Sequence, residues 1–348
     1  MIDNSGNQAR QMIDCEQVYA TFRVADLSLR QRFSGSLAWK SVGGRRYLYR
    51  KINGKWKSLG PDSLQTQASF VQFHNGRTEM KGRRASLDAQ LQAMAPVNRA
   101  LRLGRVPKMA ARILRRLDKE GVLGHGLRVV GTHALYAYER MGGIHFGGEV
   151  VATNDIDLLY DARGSLRLLS PENRQSGLIG ILQSIDSSFM LVGPNSFRAA
   201  NDKGFMVDLI TPSTRNPATR VFKSRIGAST NDMTAVELDG LTWLESSPAI
   251  EQTTIDERGF PLTMVVPDPR AFACHKLWLS ARDDRDPAKK RRDRLQALAL
   301  VEMLETRVPS MPFDDEALLA LPVDVRQLGM ECVAVVRAKV TAHEPDWE

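Results

Sequence analysis

The sequence predicts a protein of the α+β/α/β class. A mixed sheet flanked by helices forms the middle of the chain, a small β-meander with helices precedes it, and a helical region follows. Three observations carry this. Turn dipeptides punctuate alternating runs over residues 36–61. Short apolar strands alternate with helical stretches from residue 126. Helical periodicity dominates from Pro269 onward. The chain has 348 residues, 43% hydrophobic and 25% charged, which leaves room for two or three domains. Four segments are expected: a lead-in over 1–35, a basic β-meander and helical region over 36–122, an α/β domain over 123–267, and a helical region over 268–348.

Taken in order, residues 1–35 read as a polar lead-in followed by a short helix. Ser36–Val42, Arg45–Ile52 and Lys55–Leu59 form the meander, joined by Gly43-Gly44 and Asn53-Gly54. Both positions of such turns need the left-handed backbone that these residues tolerate. Trp39, Tyr47, Tyr49 and Trp56 sit among Lys40, Arg45, Arg46, Arg50, Lys51, Lys55 and Lys57. Aromatics among cations form either the small core of the sheet or a platform for stacking bases. Residues 62–103 are helical with an interruption at Ala95-Pro96, and Leu64, Phe70, Phe73, Met80, Leu87, Leu91 and Met94 are expected inside. Pro107–Glu120 is amphipathic, with Met109, Ile113 and Leu117 on its apolar face and Gly121 at its end.

Beyond that helix come a strand at Leu127–Val130, a helix from Gly131-Thr132 to about Arg140, and a glycine-rich loop through Gly148. Strands are expected at 156–160 and 165–169, a helix over 172–186, strands near 188–192 and 204–210, and turn-linked strands over 235–267. Helices close the chain at about 269–282, 287–307 and 323–341.

Composition excludes several classes. No stretch approaches the roughly 18 apolar residues of a membrane helix, and Met1–Arg10 lacks the basic start and apolar core of a secretory leader. Cys15, Cys274 and Cys332 are odd in number and far apart. They fit neither a disulfide framework nor a zinc site and point to a reducing cytoplasm. The net charge of +8 conceals an asymmetry: residues 1–120 carry 23 Lys and Arg against 9 Asp and Glu. Such a basic half either meets a polyanion or is a solvated basic surface.

Three separated pieces carry chemistry. Val129-Val130-Gly131-Thr132-His133-Ala134 runs a strand into a helix through a glycine, which exposes backbone N–H groups to an anion. In Thr153-Asn154-Asp155-Ile156-Asp157-Leu158-Leu159 the two aspartates project from one face of a strand, about 7 Å apart along the backbone; paired carboxylates suit Mg²⁺ or a solvent-facing strand end. Gly204–Ile210 is an apolar strand with Asp208 near its middle, and that carboxylate needs a metal, an exposed edge or a cation such as Arg215 or Arg220. His133 and His145 have no metal-ligand spacing and are assigned no catalytic role.

Together these pieces resemble the polymerase-β-like nucleotidyltransferase superfamily. Gly131 and Thr132 match its glycine-plus-hydroxyl helix start, with Thr132 in place of the more frequent serine. Asp155 and Asp157 match its paired acids, and Asp208 its third acid. The runs GTHALYAYERMGG, TNDIDLLYD and GFMVDLITP are similar to one bacterial branch of that superfamily, and the resemblance extends over residues 35–300. Lys276, on the helix from Pro269, matches the lysine that relatives turn toward the triphosphate; Arg282 cannot share its face, and Lys289–Arg294 reads as a solvated helix face. The resemblance implies a catalytic domain over 123–267 with Asp155, Asp157 and Asp208 as catalytic and metal-holding residues. It also implies Gly131, Thr132 and Lys276 at the nucleotide, two Mg²⁺ ions (Mn²⁺ as the alternative) and ATP or another NTP as substrate. The expected reaction is NMP transfer to an acceptor hydroxyl. RNA or another nucleic acid recruited by the basic N-terminal region is the candidate acceptor, with no membrane involved. The alternatives are a toxin-like enzyme that modifies a tRNA or a protein, and a non-catalytic nucleic-acid-binding protein with a nucleotide-sensing domain.

Overall fold

The computed structural model describes residues 1–151, 153–161, 171–213, 229 and 231–341. In chain order the elements are β1 (Ile2–Asp3), α1 (Gly6–Gln31), β2 (Ser36–Val42), β3 (Arg45–Ile52), β4 (Lys55–Pro61), α2 (Leu64–Ala100), α3 (Lys108–Glu120), β5 (Leu127–Val130), α4 (Leu135–Gly142), β6 (Ile144–His145), α5 (Gly148–Val151) and β7 (Asp155–Tyr160). They continue with α6 (Pro171–Gln183), β8 (Met190–Leu191), β9 (Arg198–Ala200), β10 (Met206–Pro212), β11 (Val236–Leu238), α7 (Leu241–Ser246), β12 (Ile250–Ile255), β13 (Pro261–Val266), α8 (Pro269–Ala281), α9 (Pro287–Arg307) and α10 (Val323–Thr341). Packing divides the chain into a larger unit (Met1–Ala9, Gly104–Glu257 and Leu262–Glu348) and a smaller one (Arg10–Leu103 with Arg258–Pro261).

The smaller unit is built on the meander. Gly43, Gly44, Asn53 and Gly54 all have positive φ, as hairpin turns of two residues require. The antiparallel registers pair Trp39 with Leu48 and Lys51 with Trp56. Alternation sends Leu37 and Leu48 to one face, where they close a small core with Phe33 and Phe73, flanked by Trp39 and Phe70. A reciprocal cap opens α2: Ser63 Oγ accepts from the Thr66 N–H at 3.3 Å, and Thr66 Oγ1 accepts from the Ser63 N–H at 3.0 Å. Leu64, expected inside, is 87% exposed, because the cap rather than burial shapes that turn.

Two further expectations change here. The helix does not break at Ala95-Pro96 but continues to Ala100. Pro96 forfeits one backbone bond, and its surroundings are held in place. Fully buried Asn98 donates to the Gly259 carbonyl at 2.8 Å and accepts from Gln11 Nε2 at 2.8 Å. The short helix expected in the lead-in is instead α1, 26 residues long. Met12, Cys15 and Tyr19 recur at helical spacing and are buried, a thin stripe that the polar residues between them mask.

In the larger unit, α3 packs Ile113, Leu114 and Leu117 into the main core and ends at left-handed Gly121. The sheet runs β5-β7-β10-β9-β8, with β11 paired parallel to the C-terminal half of β10. β7 and β10 are parallel, whereas β5 and β9 run antiparallel to their neighbours. One face buries Ile156, Leu158, Val207 and Leu209 in the core; the opposite face carries the polar residues considered below. The C-terminal helices α8, α9 and α10 pack on one another. Asp-Pro pairs start two of them: Asp268 accepts from the Arg270 N–H at 2.8 Å, and Asp286 from the Ala288 N–H at 3.0 Å, with Pro269 and Pro287 at the first helical position.

Short elements escaped the sequence pattern. β9 and α7 are too brief to show a period. The helix expected from Gly131 begins as a 3₁₀ turn over Gly131–Ala134 before α4. The glycine-rich stretch holds β6 and α5. The helix over 172–186 is α6, interrupted at Gly177, where a Cβ would lie 1.9 Å from Asp232 Oδ2. The strand expected at 165–169 lies outside the described residues.

The Asp268–Arg270 pair tests this packing. The two side chains are 1% and 5% exposed and 2.8 Å apart. Asp268→Ala removes a cap and two hydrogen bonds from the buried Arg270 guanidinium, which keeps Asp315 and the Pro312 carbonyl as partners, so it should cost about 3 kcal/mol of unfolding free energy, read as a lower urea midpoint at unchanged m value.

Candidate active site

The site is a row across the sheet. In the parallel pair of β7 and β10, Asp157 stands directly opposite Asp208. On the far side of β10, Arg198 of β9 stands opposite Asp208. On the near side of β7, Val130 of β5 stands opposite Asp157, so Gly131 follows at the row's end. Residues facing each other across neighbouring strands point to the same side, as do residues two apart along one strand. Asp155 therefore joins Asp157 and Asp208, and oxygens of all three carboxylates lie within 4.8 Å of one another.

Like charges at that separation need relief. Burial, and then the charges of Asp155 and Asp208, push the Asp157 carboxyl up to about 7. Arg198 grips Asp208 with two hydrogen bonds, Nε at 2.7 Å and the terminal nitrogen at 2.5 Å. Thr153 donates its hydroxyl to Asp155. The cation expected beside Asp208 is thus Arg198; Arg215 and Arg220 lie outside the described residues.

Gly131 is required twice over. Its φ of 64° is left-handed, and a Cβ there would meet Asp157 Oδ2 at 1.9 Å. Thr132 is buried, and its hydroxyl oxygen accepts from Gln296 Nε2 at 3.2 Å. Lys276 is buried on α8 with its Nζ 2.7 Å from Asp293 of α9. Burial pulls that ammonium down, opposed by Asp293. Asp293 is itself lifted by burial, yet Lys276 and Arg285 outweigh this and hold it below the usual range.

All six candidate residues (Gly131, Thr132, Asp155, Asp157, Asp208 and Lys276) line one cavity of about 310 Å³. Arg198, Arg285, Lys289 and Arg292 line it as well; Arg198 and Arg285 carried no expectation from the sequence, whereas Lys289 and Arg292 belong to the run expected to be a solvated helix face. The basic run of α9 splits accordingly: Lys289 and Arg292, three apart, turn toward the cavity, and Asp293 and Gln296 are buried beside them. The burial of Asp293 and Gln296 beside Ala297 and Leu300, which the fold supplies, sets that turn. Arg292 Nε is buried without a hydrogen-bond partner among the described residues. A second cavity of about 390 Å³ shares Gly131, Asp157, Leu238 and Lys276 and adds an apolar wall of Leu241, Leu244 and Leu279.

Neither His133 nor His145 lines either cavity. Burial lowers His133 to about 4, so it is neutral, and it packs edge-on against Tyr136 and Phe205. Burial also lowers His145, which is half-buried.

A family model described as nucleotidyltransferase matches residues 108–321. The match takes in every strand of the six-stranded sheet and all five basic residues of the cavity; it begins after the meander, over which the sequence resemblance also extends. No curated protein and no solved structure matches the chain.

The raised Asp157 carboxyl has a sign in stability. Its folded value lies above the ordinary carboxylate value of 3.8, so its contribution is fully present below about pH 4 and is lost as pH rises through about 7. In EDTA, Asp157→Asn should melt a few degrees above the unsubstituted protein at pH 8, with the gap closing at pH 5. Thermal melts at the two pH values check this, and a lower melting point for the variant at pH 8 contradicts it.

Proposed function

This chain belongs to the nucleotidyltransferase family, and from that membership we propose that it moves a nucleoside monophosphate from an NTP to a hydroxyl of an RNA acceptor. The observation that carries the reading is the convergence of three carboxylates and five basic side chains on one cavity. Asp155, Asp157 and Asp208 would hold Mg²⁺, with two ions expected and Mn²⁺ as the alternative. The fit rests on the donor set, which is all carboxylate oxygen and suits hard cations, and on the crowding that lifts Asp157, which a cation relieves. A bound ion would polarise the transferring phosphate and ease loss of the acceptor proton.

The chain's own groups do the rest. Gly131 leaves the backbone bare beside Asp157, so a phosphate can come close. The Thr132 hydroxyl, whose oxygen serves Gln296, keeps its proton to donate. Lys276, Arg285, Lys289 and Arg292 offset the charge that gathers on departing pyrophosphate. Lys276 is shared with Asp293, so Arg292, with its unpartnered Nε, is the better placed of the four to gain a phosphate contact. The apolar wall of the neighbouring cavity offers a surface for the nucleoside. Asp208 would accept the acceptor's proton once Arg198 is drawn off it. Three buried free cysteines accord with a reducing, cytoplasmic setting, and no helix among the described residues is long and apolar enough to cross a membrane.

Incubation with each α-labelled NTP, Mg²⁺ and total cell extract tests the reading. Label should enter RNA and be lost, by a factor on the order of 10³, in the Asp155→Asn, Asp157→Asn double variant. Label in protein would instead favour the toxin-like enzyme, which shares the chemistry and differs in its acceptor. Arg198→Ala should bind Mn²⁺ about tenfold more tightly by electron paramagnetic resonance titration, because a competitor for Asp208 is gone. Weaker binding would mean that Arg198 supports the carboxylate row instead.

A further inference from the structure

The meander has a second face that folding does not use. Leu37, Trp39 and Leu48 point into the small core. The registers set Lys40 opposite Tyr47, Ala38 opposite Tyr49, and Lys51 opposite Trp56. By alternation, Tyr47, Tyr49, Trp56, Lys40 and Lys51 share the face turned away from that core. Trp56 is 41% exposed, and its ring stands edge-to-face with Tyr49 at 6.4 Å. Lys40 Nζ lies 3.4 Å from the Trp56 ring centroid and Lys51 Nζ 5.5 Å from it.

The charge is one-sided as well. Residues 36–61 contain seven Lys and Arg and no Asp or Glu. Arg50 is spent on the carbonyls of Arg32 and Ser34, and Arg46 reaches Asp62. Lys40, Arg45, Lys51, Lys55 and Lys57 have no carboxylate partner among the described residues. A sheet face that pairs an exposed indole and half-buried phenol rings with unneutralised cations offers bases a stack and phosphates a countercharge at the same place.

We propose that this face of β2–β4 binds single-stranded RNA, with Trp56 and Tyr49 stacking unpaired bases and Lys40 and Lys51 tracking the backbone. A duplex hides its base faces and could use only the charges. RNA is the polyanion that regularly presents splayed, unpaired bases. Three strands about 4.8 Å apart give a platform for two or three nucleotides. The proposal deepens the RNA-acceptor reading above and supplies a surface for it, yet it concerns a different unit and needs no NTP.

Fluorescence anisotropy of the full chain with a labelled single-stranded RNA 10-mer, without NTP or Mg²⁺, tests it. Trp56→Ala should weaken binding about tenfold, and Trp56→Phe should restore most of the loss. Lys40→Ala with Lys51→Ala should flatten the slope of log affinity against log salt by about 1.4. The Asp155→Asn, Asp157→Asn variant should bind as the unsubstituted protein does, so failure here leaves the chemistry untouched and failure of the chemistry leaves this binding intact. Trp56→Ala binding like the unsubstituted protein, with its circular dichroism unchanged, overturns the proposal. So does tighter binding of a duplex, of a DNA strand of the same sequence, or of anionic phosphatidylserine vesicles.

Discussion

Asp155, Asp157 and Asp208 concentrate negative charge on one sheet face with oxygens within 4.8 Å of one another. At an effective dielectric near 20, two full charges so spaced repel by about 3 kcal/mol. The structure relieves this in three ways: Asp157 takes up a proton more readily than an ordinary carboxyl, Arg198 neutralises Asp208, and Thr153 donates to Asp155. Each device holds the carboxylates in place, and each is of a kind that an arriving cation can displace or replace.

The stability that tolerates this conflict comes from the reverse side of the same strands. Ile156 and Leu158 of β7 and Val207 and Leu209 of β10 are fully buried, and because side chains alternate, every residue that anchors the strand also aims its neighbour at the site. The helical layer contributes in the same dual manner. Leu300 and Leu304 bury one part of α9 in the core, while Lys289 and Arg292 near its start line the cavity. Fold and site are therefore not separable by deleting one face, and the burial that stabilises the sheet is also what crowds the acids.

Much of this was legible in the sequence because alternation and turn chemistry are local. The strands bearing Val130, Asp155, Asp157 and Asp208 were read within two residues of their bounds, and the six candidate residues line one cavity. What escaped depends on pairing between distant segments. β9 is three residues long, and Arg198 gains its meaning only from standing opposite Asp208. Chain proximity pointed instead to Arg215 and Arg220. Likewise, no local pattern tells which members of the basic run on α9 face inward; that is settled by how Asp293 and Gln296 are buried. Lys276 shows the limit of a motif, since its spacing says where it lies but not that Asp293 already holds it.

The crosswise register of Val130, Asp157, Asp208 and Arg198 bears on how such a chain can diverge. Inserting residues between the strands leaves the row intact, since only the loops lengthen. Adding a single residue within β7 or β10 inverts every side chain beyond it and sends a carboxylate into the apolar layer. Distant kin of this protein should accordingly keep odd and even positions within strands while intervals between motifs drift, so a search for them should compare strand parity rather than count residues from one aspartate to the next.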